Sequence, residues 1–66
     1  MTWVDDIFGA AAAANGGVVR RSLESVHRYS SVQEVVDAAL ARGFHVIETG
    51  DQLVVLCHTG GMTVLC

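Results

Sequence analysis

Residues 30–58, SSVQEVVDAALARGFHVIETGDQLVVLCH, constrain the fold more than any other stretch of the chain. They read as a capped amphipathic helix, a glycine stop and a tight hairpin. Ser31-x-x-Glu34 is a capping-box pattern, in which the Ser31 hydroxyl accepts a free backbone N–H and Glu34 reaches back. Val32, Val35, Val36, Ala39 and Leu40 recur at helical spacing, while Gln33, Glu34, Asp37 and Ala41 fall on the outward side. Arg42 sits in the last turn, where the helix dipole favours a cation, and Gly43 supplies the stop.

The hairpin follows at once, as FHVIET, the Gly50-Asp51 turn, and QLVVLCH. A two-residue loop sets the register, with Thr49 opposite Gln52, Ile47 opposite Val54 and His45 opposite Leu56. Thr59-Gly60-Gly61-Met62 offers a second turn into a third strand over residues 63–66, placing Cys57 opposite Val64. Strand side chains alternate, so the register sorts them into two faces. Phe44, Val46, Glu48, Leu53, Val55, Cys57, Met62, Val64 and Cys66 line the nearly all-apolar face that meets the helix. His45, Ile47, Val54, Leu56, His58 and Leu65 lie on the other. That second face carries a continuous apolar strip, Ile47, Val54, Leu56 and Leu65, and something must cover it.

Upstream, Thr2 can cap a helix, Asp5 and Asp6 suit its first turns, and Ala10 to Ala14 extend it with the best intrinsic helix former. Trp3, Val4, Ile7 and Phe8 make its apolar stripe. Asn15-Gly16-Gly17 is the stop. A helix this short is marginal alone in water, so Trp3, Ile7 and Phe8 must dock. They dock either on the chain's own core or, as an arm, on a neighbouring subunit.

Residues 18–29, VVRRSLESVHRY, fit both a strand and a helix. The two residues Ser30-Ser31 leave little room for two helices to turn back, which favours the strand. The expected fold is therefore α+β: an N-terminal helix or arm over residues 1–17, then a β-α-β-β-β core over residues 18–66. Its antiparallel sheet packs on one main helix. Were residues 18–29 helical, the order would become helix, helix, helix, hairpin, a winged-helix-like alternative.

Composition narrows the function classes. Sixty-six residues make one domain, and so short a chain buries a small fraction of its surface. The net charge is −3 and all four basic residues are Arg, which argues against a phosphate-binding surface built from clustered Lys and Arg. In the winged-helix alternative the capped helix would present two carboxylates, Glu34 and Asp37, against Arg42 alone, so it would meet protein more readily than DNA. The two cysteines do not make a disulfide scaffold. No secretory leader is recognisable, and no apolar run reaches the roughly eighteen residues of a membrane span. A soluble, cytoplasmic chain is expected, in the host cell if its source is viral.

Motifs for chemistry fail on geometry. Cys57 and His58 are adjacent in a strand, so their side chains diverge and no thiolate–imidazole pair forms. Cys57 and Cys66 share a face but sit diagonally, beyond usual disulfide reach. Gly16-Gly17 and Gly60-Gly61 lack the strand–GxGxxG–helix context of phosphate loops. His45 and His58 are diagonal neighbours that could share a metal, yet no third ligand is placed by sequence.

A non-enzymatic protein–protein interaction module is therefore expected, without cofactor or catalytic residues. It would dock on itself, as a homo-oligomer, or on a larger complex, as a virus- or phage-type inhibitor or an assembly subunit. The partner-binding residues expected are Trp3, Ile7 and Phe8 on the arm, and Ile47, Val54, Leu56 and Leu65 on the sheet. The alternatives are a winged-helix-like regulator of protein or DNA, and a metal-binding protein using His45 and His58.

Overall fold

Three of the four described helices start on a hydroxyl side chain, Thr2, Ser22 or Ser31, and those caps set the element order. The computed structural model describes residues 2–66. Met1, the first residue of the expected 1–17 arm, lies outside the described residues. Thr2 caps α1 (Trp3–Gly9) with a full capping box, its hydroxyl accepting the Asp5 N–H while the Asp5 carboxylate accepts the Thr2 N–H. After a break at Ala10, α2 (Ala11–Ala14) completes the N-terminal segment. Gly16, at φ +70°, ends it in the left-handed conformation that glycine adopts without penalty.

The ambiguous segment contains both of its candidate structures. Val18–Ser22 is a strand, β1, and Leu23–Tyr29 is a helix, α3. Ser22 marks the change, with its hydroxyl accepting the Ser25 N–H at 3.2 Å. Glu24 in the first turn and His27 and Arg28 in the last complement the helix dipole. The strand expected through residue 29 is thus corrected beyond Ser22. Two residues do suffice to join two helices, because Ser30 leaves the helical region at φ −159° and ψ −142° and Ser31 is extended.

Ser31 caps α4 (Val32–Ala41) as expected, accepting the Glu34 N–H at 3.1 Å. Glu34 itself accepts from the Ser30 hydroxyl at 2.6 Å rather than from the cap backbone. Gly43, at φ +75°, ends the helix. The hairpin β2 (His45–Glu48) and β3 (Gln52–Leu56) has the expected register, His45 opposite Leu56 and Ile47 opposite Val54. Thr49 holds the turn: its N–H donates to the Gln52 carbonyl at 2.8 Å, and its hydroxyl accepts the Gln52 N–H at 3.0 Å.

The sheet is antiparallel in the order β1-β3-β2, with Val18 opposite Leu56 and Ser22 opposite Gln52. Because β1 takes the second side of β3, the strand expected over residues 63–66 has no seat there. Cys57 donates its N–H to Gly17 at 2.9 Å, not to a partner near Val64. The protein is a small α+β domain with helices on one sheet face. Strand β1 departs from the all-helical residues 18–29 that the winged-helix-like alternative requires, while α3 and α4 running into the hairpin are common to both.

The core lies between that face and the helices, where Ile7, Ala13, Val26 and Val35 meet Val19, Leu53, Val55 and Cys57. Trp3, Val4, Phe8, Leu23, Phe44 and Val46 pack around it, half-buried. This placement settles the N-terminal segment. Ile7 is 1% exposed and cannot meet a partner, a correction to its expected role. Trp3 stacks on Tyr29 with ring centres 5.8 Å apart, and Phe8 packs on Phe44 at 6.1 Å. Both aromatic residues serve the chain's own packing, so of the two expected docking modes the helix takes the one on its own core.

Candidate interaction surface

The outer sheet face follows from the register alone. Val18, Leu56 and His45 form one row across β1, β3 and β2; Arg20, Val54 and Ile47 form the next; Ser22 and Gln52 lie beyond them. None of these side chains joins the core, and none is fully buried. Val18 is 47% exposed and Ile47 39%, large values for β-branched side chains flanking a central strand. Single exposed apolar residues are ordinary on protein surfaces, but a contiguous strip on one sheet face is not.

Of the residues expected on this strip, Ile47, Val54 and Leu56 are brought together. Leu65 is not, since residues 63–66 form no strand; it stands apart at 93% exposed. Val18 and Arg20 complete the surface and were not anticipated. Their alternation marks them as strand residues, but their neighbours on β3 are distant in sequence. Arg20 supplies a cation at the rim, and its carbonyl accepts from the Arg21 guanidinium at 2.7 Å.

A second apolar feature lies at the other side of the sheet. Val36, Ala39 and Leu40 of α4 face Phe44, Val46 and Met62 across an open groove of about 210 Å³. Leu40, expected to pack inward, is 67% exposed at its rim. The outward side of α4 carries Gln33, Glu34, Asp37 and Ala41, with Gln33 donating to Asp37 at 2.8 Å. Arg42, at the end of the same helix, is engaged elsewhere: its guanidinium lies 4.4 Å from the Phe8 ring centre and donates to the Ala38 carbonyl at 3.0 Å.

The candidate chemical groups are separated or quenched. Cys57 is buried, its thiol lies 3.8 Å from the Val55 carbonyl, and burial pushes that thiol above its ordinary range. A protonated, enclosed thiol is a poor nucleophile. Cys66 is exposed and both cysteines are free. His45 and His58 lie with ring centres 5.3 Å apart, and His45 Nε2 meets the Gly60 carbonyl at 2.7 Å. Among the described residues no group of three or more His, Cys, Asp or Glu side chains is placed to hold a metal ion. Nor is any described helix long and apolar enough to cross a membrane.

No family model, curated protein or solved structure matches the chain. The surface must be interpreted from its own chemistry.

Proposed function

We propose that this protein is a non-enzymatic interaction module that docks through its outer sheet face, on a second copy or on a larger protein complex. The observation that carries this reading is the uncovered strip of Val18, Ile47, Val54 and Leu56, held rigid by two ladders of antiparallel pairing. Burial of apolar area drives most protein association, and a preformed face loses little conformational freedom on docking. The setting that fits is a cytoplasmic one, as an inhibitor of a host complex or a subunit of an assembly. Two unpaired cysteines accord with a reducing compartment.

The experiment is light scattering over a concentration series, for the wild type and for Ile47→Glu and Val18→Glu. Both substituted positions are exposed, so the helical circular dichroism should be retained. Self-association above the 7.0 kDa monomer that disappears in the variants supports docking on a second copy. A monomer with a partner co-purified by the wild type and lost in both variants supports the larger complex. A monomer that the variants leave unchanged in mass, partners and apolar-dye binding overturns the reading.

The run of α3 and α4 into the hairpin favours a second reading, in which α4 meets the partner. Glu34 and Asp37 then direct it to a basic protein surface, because carboxylates facing phosphates are repelled. Duplex DNA at low salt should not raise the anisotropy of the labelled protein or lose mobility with it. Salt-sensitive DNA binding would overturn this version.

A further inference from the structure

We propose that His45 and His58 form a two-histidine half-site for a divalent transition-metal ion of the zinc class. The inference does not rest on docking through the outer apolar strip, although His45 ends one row of that face. It starts from the turn that ends β3. His58 donates its backbone N–H to the Leu56 carbonyl at 2.9 Å. This tight turn leaves its ring beside that of His45, with centres 5.3 Å apart and planes inclined by 56°. Zinc binds imidazole nitrogen at about 2.0–2.1 Å, which puts each ring centre roughly 3 Å from the ion. At a tetrahedral angle two such rings lie roughly 5 Å apart, close to the separation already present.

Gly60 bonds one ring and lies near the other. A carbonyl can only accept, so His45 must carry its proton on Nε2 to bond the Gly60 oxygen at 2.7 Å. That tautomer leaves the Nδ1 lone pair free. Metal-bound histidines characteristically donate their other ring N–H to a carbonyl or carboxylate, which fixes the ring and raises its basicity. On the other side, a Cβ at Gly60 would lie 3.7 Å from His58 Nδ1, so the glycine borders both imidazoles. Neither ring belongs to the hydrophobic core, and neither is fully buried. Two ligands leave two tetrahedral positions for water or for a second copy's pair. Imidazole ligands suit zinc, copper and nickel over magnesium or calcium.

The test is zinc chloride titrated into the protein carrying Cys66→Ser, which removes the exposed thiol as a competing ligand. Histidine ring ¹H–¹⁵N correlation spectra report each ring separately. The His45 and His58 rings should shift together to saturation while exposed His27 stays in place, and His45→Gln and His58→Gln should each abolish saturable uptake. Light scattering then counts the other ligands. One ion per two chains with a doubled mass means that a second copy completes the site; one ion per chain at unchanged mass means that water does. Both results support the half-site. Zinc that leaves both rings unmoved in the unsubstituted pair, or uptake that persists in both glutamine variants, overturns it.

Discussion

The Cys57 amide donates to the Gly17 carbonyl at 2.9 Å, continuing the β1–β3 ladder one step past the pairing of Val18 with Leu56. That bond occupies the side of β3 where residues 63–66 would otherwise align. In hydrogen exchange the Cys57 amide should be strongly protected, because it opens only when the sheet edge does. The amides of Val64 and Leu65, outside any strand, should exchange at nearly unprotected rates. Comparable protection at Val64 would restore the three-stranded meander.

Leu53 and Leu65 separate core from surface. Leu53 is among the largest fully buried side chains, so Leu53→Ala should cost about 2–5 kcal/mol through lost transfer and the cavity left behind. In so small a domain that change should abolish or nearly abolish the urea transition. Leu65→Ala should move the transition by less than about 0.5 kcal/mol, as surface changes do.

Two caps can be read independently. Ser31→Ala should cost about 1 kcal/mol in the same assay, by removing the acceptor of the Glu34 N–H. At Thr2 the readout is a proton. The Thr2 backbone N–H donates to the Asp5 carboxylate, and the Thr2 hydroxyl adds a second contact; together they hold Asp5 below its ordinary range. Ionised Asp5 therefore favours the folded state above the unfolded carboxyl pKa of about 3.9, and that contribution fades as pH falls through the lower folded value. Thr2→Ala keeps the backbone N–H and removes the hydroxyl, so the Asp5 titration, followed by NMR, should rise only part of the way to the ordinary range.

Gly9 and Gly43 should respond to alanine with opposite signs. Gly9 ends α1 with nothing within 4 Å of an added Cβ, so Gly9→Ala should stabilise by about 0.5–1 kcal/mol. Gly43 sits at φ +75°, and its added Cβ would meet Thr59 at 3.5 Å. Gly43→Ala should destabilise by about 1–2 kcal/mol through the left-handed backbone alone. Thermal midpoints measured side by side decide both signs.

The cysteines should differ sharply toward a thiol reagent at neutral pH. Cys66 is exposed and should react at once. Cys57, enclosed and held protonated by burial, should react only as the domain unfolds, so its rate should rise with urea. Two equally fast thiols in the native protein would mean that Cys57 is not in the core.

What the sequence determined by itself is local. Thr2 and Ser31 each act on an amide three residues away, Gly16 and Gly43 answer to single backbone angles, and the Gly50-Asp51 loop fixes the pairing of Ile47 with Val54. Ser22 carries the same kind of signal for α3, but the alternating residues before it obscured where strand became helix. The tertiary structure alone decided which segment lies beside β3. Val18 and residues 63–66 are both apolar strand formers, and local pattern cannot rank two candidates for one sheet edge. Pairing with β1 lets Val19 bury beside Val55 under the helices, while Val18 and Arg20 extend the outer strip of Val54 and Ile47. The same packing drew Ile7 inward and left Leu65 outside, because a core is filled by whichever side chains the assembled elements enclose.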